Sequence, residues 1–220
     1  MICPNCQSLD IEFFHQDKRR SYFHCLQCEL VFVDPTQLPP LTTEEREYSL
    51  HNNSDSDDGY LRFLDRARLP LLKHIPLNAY GIDFGSGPNP VLARRLINDG
   101  YRVDVYDPIF APNKHWLERS KTYDFIVSTE AIEHFHKPHK EWQLWLRLLR
   151  PNGHLIIMTK RWLSKARFST WHYKNDPTHV SFFSLRTFEY LAQRDGLTIK
   201  FTSDDVVVMQ RIATQDIITD

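Results

Sequence analysis

The chain has 220 residues, of which 41% are hydrophobic and 25% are charged. This length allows one well-packed core with a small additional unit, and the composition is that of an ordinary globular protein. Because 27 basic and 28 acidic residues nearly cancel, no global basic charge is available for a nucleic acid or an anionic membrane. No apolar run is long enough to predict a membrane span.

All four cysteines lie within the first 28 residues, as two C-x-x-C pairs, Cys3 with Cys6 and Cys25 with Cys28. The chain starts without the basic and apolar regions of a secretion signal, so we expect a cytoplasmic protein with reduced thiols. Two C-x-x-C pairs direct four thiolates to one point, which predicts a tetrahedral zinc site. The alternative is a pair of disulfides or free thiols.

Residues 1–38 are predicted to form a zinc ribbon, with strands at 11–16, 21–25 and 30–33 around the two cysteine pairs. Residues 1–34 carry three basic and five acidic side chains. This charge balance favours a structural clip or a protein contact over an RNA-binding role.

A linker is predicted over residues 39–59, with a short helix from about residue 43 to 50 and a polar loop after it. The apolar spacing over residues 60–75 then indicates an amphipathic helix that Pro70 interrupts. Tyr48, His51 and Tyr60 either cover a ligand or only pack against their neighbours.

The segment YGIDFGSGPN, residues 80–89, has the pattern of a buried strand followed by a tight glycine turn. A helix is expected from residue 90 to 98, and its first N–H groups can bind a ligand that Gly85 and Gly87 allow to approach. The dinucleotide fingerprint fails because its third glycine position is proline, and the phosphate-loop motif fails because no Lys-Ser or Lys-Thr follows. A glycine turn without a ligand is the alternative interpretation.

A second strand is predicted at residues 102–106, and it ends at Asp107. An acid about 20 residues after a glycine loop can accept both hydroxyl groups of a ribose. Residues 109–122 show no strand pattern, so we expect an outer strand to be missing or reduced there.

The run YDFIVS, residues 123–128, is a continuous apolar strand of the kind buried in parallel sheets. It is followed by TEAIEHF, a helix predicted over 137–149, a turn at 150–153 and a strand at 154–159. A hairpin of residues 197–202 and 206–212 closes the pattern, and residues 213–220 are expected to be a frayed tail.

Together these segments resemble class I S-adenosylmethionine-dependent methyltransferases. Asp83 with Gly85 and Gly87 resembles their motif D/E-x-G-x-G-x-G, in which Asn89 takes the place of the last glycine. The run from YDFIVSTEAIEHF to LLRPNGHLIIMTK resembles later motifs of small methyltransferases, including those that act on quinone precursors. An N-terminal ribbon joined to such a domain is also found among bacterial members.

The resemblance implies an α/β fold for residues 60–220, a Rossmann-like doubly wound sheet that is mostly parallel with an antiparallel C-terminal strand. It implies S-adenosylmethionine as cofactor beside the zinc of the ribbon. The implied cofactor-binding residues are Asp83, Gly85, Ser86, Gly87, Asn89, Asp107, Thr129 and Glu130. Glu133 and His134 are expected near the methyl group or as supports of their loop.

Residues 160–181 form a long connection, rich in aromatic and basic side chains, between a strand and the next helix. Such a connection suits a lid for a planar or anionic acceptor. Alternatively, its aromatic residues only fill a core. His134 and His179 are the candidate general bases because imidazole titrates near neutrality, although a lone histidine is often structural.

The predicted function is methyl transfer from S-adenosylmethionine to a small-molecule acceptor. Nucleic acid is not expected as a partner, and the sequence leaves the acceptor and the oligomeric state open. Two alternatives remain. One is an RNA methyltransferase that uses the ribbon and the basic connection, and the other is a non-catalytic protein that binds the cofactor and a partner.

Overall fold

Two β-sheets organise the computed structural model, which describes residues 1–50 and 54–212. The strands are β1 (Ile11–Gln16), β2 (Ser21–Cys25), β3 (Val31–Val33), β4 (Tyr80–Phe84), β5 (Arg102–Tyr106), β6 (Tyr123–Thr129), β7 (Leu149–Met158), β8 (Ser181–Phe182), β9 (Leu197–Phe201) and β10 (Val206–Arg211). The helices are α1 (Leu41–Ser49), α2 (Asp58–His74), α3 (Val91–Asn98), α4 (Pro138–Leu148), α5 (Lys165–Ser169) and α6 (Leu185–Asp195).

The larger sheet has the strand order β5-β4-β6-β7-β10-β9. Strands β5, β4, β6 and β7 are parallel, whereas β10 runs antiparallel to both of its neighbours. The predicted Rossmann-like sheet with an antiparallel C-terminal strand is therefore confirmed. Within the described residues, 108–122 contain a short 3-10 helix, Lys114–Leu117, and no strand, in agreement with the expected loss of an outer strand.

Helices cover both faces of this sheet, because successive strand residues point to opposite sides. Phe125 and Val127 pack with α2 and α3 on one face, and Ile126 packs with α4 and α6 on the other. Both layers are apolar and buried, so burial of the two faces fixes the register of the central strands. The carboxyl ends of β4, β5 and β6 are thereby held together at one edge.

Two sequence predictions of element bounds are wrong. Helix α2 runs without a break through Pro70, because Leu64, Ala67 and Leu71 are buried on both sides of it and offset the one lost hydrogen bond. Strand β7 begins at Leu149 instead of residue 154. The expected turn forms an irregularity inside the strand, where the pairing with β6 shifts register.

The smaller sheet joins distant parts of the chain, in the order β1-β2-β3-β8. Its fourth strand consists of Ser181, the last residue of the 160–181 connection, and Phe182, the next residue, which pair with Phe32 and Val31. Phe168 and Phe182 are buried against Tyr22 in the core of this sheet. Buried aromatic residues of the connection therefore fill the core of the ribbon sheet, and the connection is packed against the ribbon instead of forming a loose lid.

No helix in the described part of the chain is both long enough and apolar enough to cross a membrane. The predicted tail at 213–220 and His51 lie outside the described residues.

Candidate functional site

The four cysteines meet at one point, with their sulfur atoms all within 4.8 Å of one another. Cys3 Sγ lies 3.6 Å from Cys28 Sγ, and Cys6 Sγ lies 3.4 Å from Cys25 Sγ. None of the four forms a disulfide. Four thiolates around a zinc ion at about 2.3 Å from each sulfur need such short separations, so the donor set and its spacing fit a zinc ion.

The two C-x-x-C turns share one backbone geometry. The residue after each second cysteine, Gln7 or Glu29, has a positive φ, 65° and 58°. Its N–H donates a hydrogen bond to the carbonyl of the first cysteine of its pair, at 3.1 Å to Cys3 and 2.8 Å to Cys25. The paired turns make the cluster a two-fold repeat of the same local structure.

The glycine loop after β4 lies at the carboxyl edge of the sheet. Gly85 and Gly87 have φ of 82° and 67°, which favours glycine. A Cβ on Gly85 would meet Ala131 Cβ at 2.5 Å, whereas a Cβ on Gly87 would have no atom within 4 Å. Gly85 is therefore required by packing, and Gly87 leaves space open beside the loop.

Asp107 holds the glycine loop and its own turn together. One carboxylate oxygen accepts the Gly87 N–H at 3.0 Å, and the other accepts the N–H groups of Ile109 and Phe110 at 2.9 and 3.0 Å. Each carboxylate oxygen can accept more than one hydrogen bond. Asp107 can thus organise the loop and still accept a ribose hydroxyl.

Asp83 of β4 and Ser86 of the glycine loop each carry a buried oxygen without a hydrogen-bond partner among the described residues, Asp83 Oδ1 and Ser86 Oγ. Asp83 is almost fully buried, and this burial raises its pKa to about 7. Asn89 does not line the cavity, and its side-chain oxygen accepts a hydrogen bond from Arg94 at 2.6 Å.

A group of linked acids lies after β6. Glu130, at φ 48°, follows Thr129, and both residues line the cavity. Glu133 is fully buried and accepts hydrogen bonds from the hydroxyl groups of Tyr173 and Thr159. Burial raises the pKa of Glu130 to about 7 and that of Glu133 to about 8. Near neutral pH these carboxyl groups can therefore hold protons.

The predicted bases, His134 and His179, lie side by side with ring centroids 4.7 Å apart. His134 Nδ1 is 3.1 Å from the Thr178 carbonyl, and His179 Nδ1 is 2.7 Å from the Tyr173 carbonyl. A carbonyl only accepts, so each Nδ1 donates its proton and Nε2 carries the lone pair of the neutral ring. Burial lowers the pKa of His134 to about 3, which makes it a weak general base.

A cavity of about 970 Å³ connects these groups. The glycine loop, Asp107 and Glu130 line it together with His134 and His179. Tyr48 and Tyr60 also line it, on the side of α1 and α2. Glu44 and Glu141 are among the lining residues that sequence reasoning missed, because their contacts depend on how α1 and α4 pack, which no local motif indicates.

The chain combines a doubly wound, mostly parallel sheet with a glycine loop after its first parallel strand, an acid after the second, and a cavity at the carboxyl ends of these strands. These features define a Rossmann-like, S-adenosylmethionine-dependent methyltransferase. A family model described as "Methyltransferase domain" matches residues 55–200, more than half of the chain. The chain belongs to this family. No curated protein sequence matches it.

Solved structures are similar in fold. The 1,6-didemethyltoxoflavin-N1-methyltransferase of Burkholderia thailandensis, solved with 1,6-didemethyltoxoflavin and S-adenosylhomocysteine, has a TM-score of 0.56 at 16% identity and covers 92% of this chain and 100% of its own. A Bacillus halodurans protein described as a candidate methyltransferase has a TM-score of 0.50 at 14% identity, over 62% of this chain and 70% of its own. Such low identities show the fold alone.

Proposed function

We propose that this protein transfers the methyl group of S-adenosylmethionine to a small-molecule acceptor, and that its ribbon holds one structural zinc ion. The observation that carries the proposal is a cavity that joins the glycine loop to the His134 and His179 pair. Its volume of about 970 Å³ lies at the upper end of the range of about 300–1,000 Å³ typical of ligand pockets. It has room for a cofactor and a small acceptor together.

The residues on the glycine-loop side fit the cofactor. The open space beside Gly87 and the unpartnered Ser86 oxygen suit a ligand that passes close to the backbone. Asp107 suits the ribose hydroxyls, and Glu130 suits the cationic methionine end. When bound, S-adenosylmethionine supplies a methyl group already activated by its sulfonium, so the protein needs mainly to align the acceptor and to accept its proton.

The other end of the cavity suits a planar acceptor. Tyr48 lies beside His134 and Tyr173 beside His179, with ring centroids 5.0 and 4.1 Å apart, and both line the cavity with aromatic surface that can pack on a flat ring. The 160–181 connection has five basic residues, Lys160, Arg161, Lys165, Arg167 and Lys174. Of these, Lys160 alone is among the described lining residues. Lys174 instead pairs with Asp17 at 3.0 Å. The lining therefore favours a planar acceptor without a requirement for negative charge.

RNA is the less favoured acceptor. The ribbon is acidic. Apart from Lys160, none of the basic residues of the connection is among the described lining residues, and Lys174 is paired with Asp17. A phosphate backbone needs several accessible cations along one path. The non-catalytic alternative predicts cofactor binding without any methylated product.

The test uses tritiated S-adenosylmethionine with two acceptor mixtures, a small-molecule cell extract and total RNA. We expect label in the small-molecule fraction with wild-type protein. Asp107→Ala should weaken S-adenosylhomocysteine binding by about 1.5–3 kcal/mol, and the exposed Asp204→Ala serves as the matched control. Label in RNA alone would favour the first alternative. Cofactor binding with label in neither fraction would favour the second.

A further inference from the structure

One arginine of the ribbon is buried against the segment that carries His179. Arg20, which immediately precedes β2, is only 8% exposed. Its Nη1 donates hydrogen bonds to the carbonyls of Pro177 and His179, both at 2.9 Å. Its Nη2 donates to the carbonyls of Lys174 and Asp176, at 2.5 and 2.9 Å. One guanidinium thus accounts for four carbonyl groups of six consecutive residues.

These four carbonyls belong to a segment of the chain that forms part of the cavity wall. Residues 172–181, here called the wall segment, supply Tyr173, Asp176 and His179 to the cavity lining. Apart from the 3-10 turn His172–Asn175 and Ser181 of β8, the wall segment has no regular structure. Backbone carbonyls that turn inward without a helix or sheet need other donors, and a planar guanidinium with five N–H groups can serve several at once.

The turn that carries Arg20 is itself fixed. Asp17 Oδ1 accepts the backbone N–H groups of Arg19 and Arg20 at 2.8 and 2.9 Å. Asp17 Oδ2 accepts hydrogen bonds from Tyr22 and from Lys174 of the wall segment. Although burial opposes it, these donors hold the pKa of Asp17 well below its usual range. Asp17 therefore stays ionised and ties the β1–β2 turn to the wall segment.

Val180 joins the wall segment to both sheets. Its N–H donates to the carbonyl of Glu133 after β6, at 2.9 Å, and its carbonyl accepts the N–H of Val33 in β3, also at 2.9 Å. The wall segment is therefore held between the methyltransferase sheet and the ribbon. On one side the wall segment binds the loop that carries Glu130 and Glu133. On the other side Arg20 binds the backbone carbonyls around His179.

We infer that Arg20 is a positioning residue for the acceptor end of the cavity, and that the ribbon serves the reaction by holding the wall segment through this guanidinium. This inference rests on the proposed function, because it assigns the His179 side of the cavity to the acceptor. It gives the ribbon a part in the site that neither zinc binding nor nucleic-acid binding explains. The glycine loop and Asp107 do not depend on Arg20.

The test compares Arg20→Gln with Arg19→Gln. Arg19 is the adjacent residue, is exposed, and makes one longer hydrogen bond of 3.4 Å to the wall segment. Hydrogen exchange of residues 172–181 should be about tenfold faster in Arg20→Gln than in Arg19→Gln, because local opening becomes easier. The ¹⁵N signal of His179 Nδ1, which reports its hydrogen bond to Tyr173, should shift in Arg20→Gln only. Zinc content should stay the same in both variants.

Binding of S-adenosylhomocysteine, measured by calorimetry, separates this inference from the proposed function. We expect Arg20→Gln to change that affinity by no more than about twofold, since the glycine loop lies apart from the wall segment. Wild-type protein that binds no S-adenosylhomocysteine would defeat the proposed function and leave the exchange result intact. Equal exchange in the two variants would overturn the role of Arg20.

Arg20→Lys guards against a folding defect in Arg20→Gln. Lysine keeps the charge but lacks the planar fork, so exchange in the wall segment should remain faster than in wild type. If the wall segment of Arg20→Lys exchanges at the wild-type rate, a positive charge alone suffices. That result would overturn the role given to the planar guanidinium. Faster exchange throughout the chain in both variants, with loss of zinc, would make Arg20 a general stability residue and would likewise overturn the inference.

Discussion

The hydroxyl group of Tyr173 donates a hydrogen bond to the buried carboxyl group of Glu133 and so links the wall segment to the loop after β6. Thr159 donates to the second oxygen of the same carboxyl group at 2.9 Å. The Tyr173 hydroxyl also lies 3.3 Å from Glu130 Oε2. Two acids, a phenol and a threonine thus form one network where the proposed cofactor and acceptor ends meet.

This network predicts a pH-dependent stability. Burial raises the pKa of folded Glu133 to about 8, whereas an unfolded glutamate has a pKa of about 4.3. Between these values the folded state binds more protons than the unfolded state, so stability falls as the pH rises through this window. Glutamine at position 133 has no carboxyl group to titrate. The melting temperature of Glu133→Gln should therefore fall less than that of wild type between pH 5.5 and pH 8, and the difference should be at least about 2–4 °C.

Thermal unfolding of the ligand-free protein at both pH values measures this effect. Glu118→Gln is the matched control, because Glu118 is an exposed glutamate away from the network. It should leave the pH dependence of wild type unchanged. Parallel pH profiles for wild type and Glu133→Gln would contradict the raised pKa of Glu133.

The glycine turn and the clustering of the two cysteine pairs could be predicted from local sequence motifs. The turn around Gly85 and Gly87 and the spacing to Asp107 are set by neighbours in sequence, so both were predictable. The four-stranded ribbon sheet was not, because β8 comes from about 150 residues further along the chain. Arg20 likewise had no sequence signal, since its guanidinium donates its hydrogen bonds to carbonyls of residues 174–179, far along the chain. The domain division at residues 38 and 60 stays a prediction.

A glycine substitution can test the cofactor side at a position where an added Cβ meets no other atom. Gly87 and Gly196 have nearly equal φ, 67° and 66°, and neither would bring a Cβ within 4 Å of another atom. Valine at either position carries a similar backbone strain, on the order of 1–2 kcal/mol. Only Gly87 lines the cavity, so Gly87→Val should weaken S-adenosylhomocysteine binding at least about tenfold, and Gly196→Val should not.

Calorimetry measures the affinity, and thermal unfolding checks that the two variants lose similar stability. Gly85 is unsuitable for this comparison because of its contact with Ala131. Equal S-adenosylhomocysteine affinity in Gly87→Val and wild type would place the cofactor elsewhere. Tight binding of NAD by wild type, without binding of S-adenosylhomocysteine, would reverse the cofactor assignment.

The cysteine cluster predicts about one zinc atom per chain under reducing conditions. Thiolate ligation should supply much of the folding energy of so small a sheet. Cys25→Ala should lose the zinc and speed hydrogen exchange in residues 172–183, because β8 pairs with β3 and Cys25 packs in the same core as Phe183. Elemental analysis and exchange mass spectrometry measure both effects.

Gln27→Ala is the control for Cys25→Ala, since Gln27 is an exposed residue of the same C-x-x-C turn. It should keep the zinc and the exchange pattern of wild type. Purified wild-type protein without zinc, or a Cys25→Ala variant that still binds one zinc per chain, would refute the predicted site.

His179 is the better of the two candidate bases, because the lowered pKa of His134 leaves that ring little tendency to accept a proton. The tautomer of His179 is fixed by its hydrogen bond to Tyr173, and Asp176 Oδ2 lies 3.7 Å from its Nε2. His179→Gln should reduce methyl transfer to the small-molecule fraction by about 10²–10⁴-fold. Affinity for S-adenosylhomocysteine should remain within about twofold, because the ring lies apart from the glycine loop.

The control for this prediction is His172→Gln, an exposed histidine of the same wall segment that does not line the cavity. It should retain wild-type transfer. Single-turnover measurements on the labelled acceptor separate a chemical defect from slow product release. If His179→Gln lowers the melting temperature but keeps the wild-type single-turnover rate, His179 only supports the wall segment. The proton of the acceptor must then leave to another group or to water, with Glu130 as the next candidate because its raised pKa lies near neutrality.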